Sequence, residues 1–324
     1  MAREAILLAM TTVAVALGGC ESPPAGPTGA SMVIEVRAEP WHTPNGAGRQ
    51  LVTPHYRIFT TTANRDMINY LPGFMEASYR NYLRLTGLPD RPGAPLMDIY
   101  MMGARAEWAE LTRKQLGPLA ELYLAIEAGG YCYEKIGVFW DMGNLGTFST
   151  AAHEGLHQFL AYRLRNHLPS WLEEGLCTVA EGYDIAGRNV TFTPQRNVSR
   201  FSSLREALVQ GRTYPIAKLL SMDAGDVTGQ VGYKAVGYYG QLWALVQFLR
   251  AHPVYRVGLR NLLADAEAGK LHLALKLPAG GLDQIGGRAY NRAVAEPLFR
   301  HYISDDLSGF EKEFREFAIR LAGL

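Results

Sequence analysis

His153, Glu154 and His157 stand in the stretch Thr150-Ala151-Ala152-His153-Glu154-Gly155-Leu156-His157, a pattern whose chemistry depends on its being wound into a helix. Two histidines four positions apart are then separated by roughly 6 Å of rise and leave the same face, so both imidazoles can reach one metal ion. Glu154 is turned about 100° from His153, beside such an ion rather than on it, where a general base for a metal-activated water belongs. A catalytic zinc site takes three protein ligands and keeps a fourth position open. Sixteen residues separate His157 from Glu174, enough for a turn and an antiparallel return, and Glu174 is the expected third ligand. Its neighbour Glu173 is expected to close a capping box with Ser170.

The elements that must position these groups can be read independently. Ser149 or Thr150 can cap a helix in which Ala152, Leu156, Phe159, Leu160 and Leu164 recur at helical spacing as a buried stripe, and Pro169 stops it. A second helix follows, with Leu172, Leu176, Val179 and Ala180 on its apolar side. Glu181, seven positions after Glu174 and on the same face, is expected to be a solvated carboxylate. The competing role is to orient a metal-bound imidazole.

The two motifs together, His153-Glu154-x-x-His157 and Leu168-Pro169-Ser170-Trp171-Leu172-Glu173-Glu174-Gly175-Leu176, resemble the gluzincin metallopeptidases, in particular the peptidase-MA-like domain of uncharacterised bacterial proteins. The strong resemblance covers Thr150 to about Glu181. It implies an α+β, thermolysin-like fold, Zn2+ bound by His153, His157 and Glu174, water activation by Glu154, and a peptide or protein substrate. The spacing from the second histidine to the glutamate is shorter than in the aminopeptidase branch, whose substrate preference does not carry over. Some gluzincins stabilise the oxyanion with a tyrosine C-terminal to the glutamate ligand; the candidate is Tyr239, in a helix expected over Gly232 to His252, followed by Tyr238 and Tyr233, with ordinary core packing as the other reading for each. Gly129 to Trp140 reads as one strand leading toward the metal helix. In the related peptidases the strand in this place is a sheet edge that holds an extended peptide; a buried strand without substrate contact is the other reading.

The chain has 324 residues, a formal net charge of +1 and 48% hydrophobic composition, which suits a globular protein and gives no electrostatic footprint for nucleic acid. Residues 1–20 read as a lipoprotein signal peptide: a short apolar segment ends in Leu17-Gly18-Gly19-Cys20, with Cys20 as the acylated residue. Residues 21–31 read as a flexible tether, 32–148 as an N-terminal α+β part with strands at Met32 to Val36, His55 to Thr61 and Pro95 to Met102, and 149–324 as a mainly helical, zinc-binding part. The expected location is therefore the bacterial cell envelope, with lipid on Cys20 as the membrane contact. Cys132 and Cys177 are left as one potential disulfide or as two buried thiols, with neither at zinc-motif spacing. Ser308 and Glu311 are expected to cap a last helix. The expected activity is zinc-dependent peptide hydrolysis. The alternative is a catalytically inactive binding or structural lipoprotein that keeps the peptidase fold.

Overall fold

A computed structural model describes residues 29–43, 46–227, 233–285 and 287–324; the signal segment, Cys20 and most of the expected tether lie outside the described residues. The chain is a mixed α+β protein. Among the described residues nine strands, β1 (Ala30–Ser31), β2 (Arg37–Thr43), β3 (Gly46–Val52), β4 (Tyr56–Thr60), β5 (Met97–Met102), β6 (Gly130–Tyr133), β7 (Ile136–Trp140), β8 (Tyr183–Ala186) and β9 (Asn189–Phe192), form two sheets. The larger has the order β2-β3-β4-β5-β7-β6. Its β4, β5 and β7 run parallel, while the β2–β3–β4 side and the β6–β7 pair are antiparallel. Parallel strands need crossovers. Those connections carry α1 (Arg65–Thr86), then α2 (Arg105–Leu116) and α3 (Ala120–Leu124).

Side chains of successive strand residues leave opposite faces, and the sheet accordingly builds two cores. Ile99, Met101 and Phe139 pack with Leu71, Phe74 and Tyr82 of α1, whereas Met102, Val138 and Trp140 pack with Trp108 of α2. Helix α1 is capped by Asn64, whose side chain accepts from the Asp66 and Met67 amides. The remaining helices follow β7: α4 (Asn144–Arg163), α5 (Ser170–Ala180), α6 (Val198–Val209), α7 (Ile216–Ser221), α8 (Ala224–Val227), α9 (Tyr233–Ala251), α10 (Tyr255–Ala268), α11 (Leu271–Ala274), α12 (Gly287–Tyr302) and α13 (Leu307–Leu321). No described helix is long and apolar enough to cross a membrane.

Several expectations are corrected. Ala30 and Ser31 are not tether: they pair with Val190 and Asn189 in the smaller sheet, β1-β9-β8, and Met32 is buried. Gly73 of α1 makes room for the Met32 backbone, which a Cβ there would strike. Residues 33–36 are irregular rather than a strand. The single strand expected over Gly129 to Trp140 is a hairpin, β6–β7, turning at Glu134 and Lys135 with φ of 46° and 68°. Helix α4, which carries His153 and His157, starts at Asn144, before the expected caps, and the last helix is capped by Asp306, whose carboxylate accepts from the Gly309 amide.

Candidate metal centre

Helix α4 is fixed first. Ala151, Ala152, Leu156, Phe159 and Leu160 are buried against α1 and the large sheet. The Tyr82 hydroxyl donates to the Ala152 carbonyl at 2.9 Å. Gly155 permits this approach, since a Cβ there would lie 2.5 Å from the Tyr82 hydroxyl. With the inner face so occupied, His153, Glu154 and His157 turn toward a cleft of about 830 Å³, whose far walls come from β6, α3, α5 and the start of α6. Helix α5 is fixed by Trp171, Leu172, Leu176 and Val179, all buried, and by Gly175 packed on α9.

The two helices bring three acceptor atoms together. His153 Nε2 and His157 Nε2 are 3.2 Å apart, and Glu174 Oε2 lies 3.4 Å from the first and 3.8 Å from the second. For ligand bonds of about 2.0–2.1 Å, a tetrahedral centre requires edges of about 3.3 Å. The other ring nitrogens are spoken for: His153 Nδ1 donates to Glu181 Oε1 at 2.7 Å and His157 Nδ1 to Glu173 Oε1 at 2.8 Å. Carboxylates only accept, so a neutral ring whose Nδ1 donates has a lone pair at Nε2. Two such lone pairs and a carboxylate oxygen then face one point. Glu174 Oε2 is buried and has no hydrogen-bond partner. Such an atom is costly to leave without a donor or a cation, and the donor set fits a divalent metal.

Electrostatics point the same way. Four carboxylates, Glu154, Glu173, Glu174 and Glu181, surround the imidazoles and one guanidinium, Arg200, opposes them. Burial works against protonating His153, yet Glu174 and Glu181 outweigh it and push its pKa up to about 9. His157 is likewise raised by its neighbours against the effect of burial. Burial alone would lift Glu174 and Glu181, but His157 and His153 hold the first well below the usual range, and Arg200 with His153 brings the second down to about 2. Glu154 moves the other way, raised chiefly by burial. The site therefore favours a positive charge at its centre and keeps one carboxylate ready to bind a proton.

His153, Glu154, His157, Glu174 and Tyr239 all line the same cleft. Tyr239 is half-buried, with the Arg200 guanidinium 5.0 Å from its ring centre, and burial raises its pKa so that it stays a phenol. Tyr238 is instead fully buried, with its hydroxyl unpartnered in the core; the side chain of Tyr233 lies outside the described residues.

Two roles differ from expectation. Glu173 closes no capping box; the Ser170 amide is taken by Asn291 of α12 at 2.9 Å, which leaves Glu173 to His157. Glu181 is buried rather than solvated, gripped by Arg200 through Nε at 2.9 Å and Nη2 at 2.8 Å, and by Asn197 Nδ2 at 2.8 Å. Arg200 and Asn197 carry no motif of their own, and only the need of a ligating histidine for an Nδ1 acceptor could have directed attention to their partner. Cys132 and Cys177 are both free thiols. Contrary to expectation, Cys177 Sγ lies within 4.8 Å of ring nitrogens of both histidines, and burial pushes its pKa up to about 12. The edge-strand expectation divides: β7 is internal, whereas β6, along the cleft, is an edge of the large sheet.

A family described as "Protein of unknown function (DUF1570)" matches residues 147–256, which begin within α4 and include α5 and α9. No curated protein and no solved structure matches the chain.

Proposed function

We propose that this chain is a zinc-dependent peptidase of gluzincin type, anchored to the cell envelope through Cys20. The observation that carries the reading is the convergence of His153 Nε2, His157 Nε2 and the unpartnered Glu174 Oε2 at 3.2–3.8 Å from one another. When bound there, zinc would supply a Lewis acid that polarises a scissile carbonyl and acidifies water. Glu173 and Glu181 hold the two imidazoles in the required tautomer. Glu154, whose burial raises its affinity for a proton, takes a proton from the attacking water and delivers it to the leaving amine. The Tyr239 hydroxyl, kept protonated, donates to the oxyanion that develops on the carbonyl oxygen. The open main-chain groups of β6 align an extended peptide along the cleft.

Metal analysis of the purified chain, with a chelator-reversible assay on a mixed peptide library, tests the reading. Glu154→Gln should retain metal and lose about 10²–10⁴-fold in turnover; full activity in that variant would place the base elsewhere. The position of Cys177 favours one competing reading, a closed His-His-Glu-Cys site that only stabilises the fold. Under the peptidase reading Cys177→Ala keeps its metal and its activity, whereas loss of metal in that variant, with no turnover by the parent chain, selects the structural site.

A further inference from the structure

The sheet edge opposite β6 carries a second cavity, which the peptidase chemistry does not use. In the large sheet Trp41 pairs with Gly48, and Phe59 with Tyr100, which pairs in turn with Val138. Tyr100 and Met102 alternate with Ile99 and Met101 and so lie on the face that α2 covers. Helix α2 packs on β5 and β7, and the aromatic face continues beyond it onto β4, β3 and β2. Phe59 stacks on Tyr100 at 4.7 Å, and Trp41 meets both at 5.3 and 5.8 Å. Gly48 lets the indole lie across the neighbouring strand, since a Cβ there would come 2.7 Å from the ring. Where this face meets the flank of α2, Trp41 and Tyr100 form one wall of a cavity of about 400 Å³, and Glu107, Lys114 and Gln115 another. That volume falls within the range of small-molecule sites.

We propose that this cavity is a saccharide-binding site, with Trp41 as its stacking platform and the α2 flank as its hydrogen-bonding wall. A sugar ring has an apolar face of C–H groups that packs on an aromatic ring, and a rim of hydroxyls that both donate and accept. The polar wall suits that rim. The Glu107 carboxylate is fixed by the Thr61 hydroxyl and by the Gly103 amide at 3.2 Å, and it offers acceptors. Lys114 offers donors. Gln115 accepts from the Tyr131 hydroxyl at 3.2 Å through Oε1, which leaves its NH2 as a donor. The carboxylates of Glu107 and Glu110 disfavour a phosphate or other anion, and the charged wall disfavours an acyl chain. A neutral polyhydroxylated ring satisfies both walls.

Tryptophan emission reports on this site directly. Trp108, Trp171 and Trp243 are fully buried and Trp140 is 6% exposed, whereas Trp41 is the partly exposed member of the five. The full chain is titrated with tri-N-acetylchitotriose and with maltotriose, using inorganic phosphate and triglycine as non-sugar probes. At least one trisaccharide should shift the emission saturably. Trp41→Phe should retain binding to within about tenfold, Trp41→Ala should abolish it, and Lys114→Ala should weaken it several-fold, all with unchanged peptide turnover. Absence of binding by both sugars, equal binding by folded Trp41→Ala, unchanged binding by Lys114→Ala, or equal affinity for phosphate or triglycine would overturn the proposal. Because this cavity and the metal cleft occupy opposite edges of the sheet, neither result bears on the peptidase reading.

Discussion

For the proposed zinc site the imidazoles have to be turned as well as placed, and the carboxylates of Glu181 and Glu173 on their Nδ1 atoms fix how they are turned. Glu181 accepts from His153, Arg200 and Asn197 together, so its carboxylate is fully engaged and its orientation fixed. Glu181→Ala removes the acceptor that keeps the His153 lone pair at Nε2 and strands the Arg200 guanidinium, 22% exposed at its side chain. Zinc affinity, read by competition with a chromophoric chelator, should fall about 10–100-fold; Glu181→Gln, which keeps an acceptor but not the charge, should fall less. An unchanged affinity in both variants would separate this carboxylate from metal binding. The first three residues of the site were legible in the sequence because His153, Glu154 and His157 lie within one helical turn. Glu173 was misread for a physical reason: the local capping-box pattern is weaker than the Asn291 side chain brought in from α12. No local signal records a donor that arrives from another helix.

At the scale of elements, α5 delivers Glu173 and Glu174, and Glu181 just past its C-terminal end, only if it lies close against α9. Gly175 sets that distance, since a Cβ there would fall 2.5 Å from Val246 Cγ2 and 3.1 Å from the Leu242 carbonyl oxygen. Backbone cannot yield as a side-chain tip does, so Gly175→Ala should destabilise the chain by about 1–3 kcal/mol, measured by urea unfolding. The same variant should also weaken zinc binding, because the shift is transmitted to the ligand next to it; a neutral effect on both would mean that α5 can slide. Helices α4, α5, α9 and α13 were legible from their apolar stripes, and β4 and β5 from their short apolar runs. Strands β2 and β3 were not: Arg37–Thr43 contains Pro40 and only half-buries alternate residues, which leaves little apolar pattern. The β6–β7 turn was missed because Glu134 and Lys135 adopt positive φ without the glycine or asparagine that usually marks it.

For the whole molecule, the boundary expected between residues 148 and 149 falls inside α4, and one buried apolar cluster runs across it. Phe139 of the sheet, Phe148 and Leu156 of α4, Leu176 of α5 and Leu242 of α9 belong to the same core, which continues to Ala318 in α13. The three residues proposed to hold zinc straddle this junction, His153 and His157 on the helix packed against the sheet side, Glu174 on the helix packed against α9. Two halves sharing a core are expected to unfold together, and a cation that binds only when α4 and α5 are apposed stabilises both. Free zinc at 100 times its dissociation constant should then add about 2.7 kcal/mol. At about 2 °C per kcal/mol for a chain of this size, that corresponds to about 5 °C in the unfolding midpoint. Differential scanning calorimetry of the full chain, with zinc and with chelator, should show one transition that moves as a unit, and His153→Ala should abolish the shift. Two transitions of which only one responds would mean that the shared core does not couple the halves, and that the metal site belongs to one of them alone.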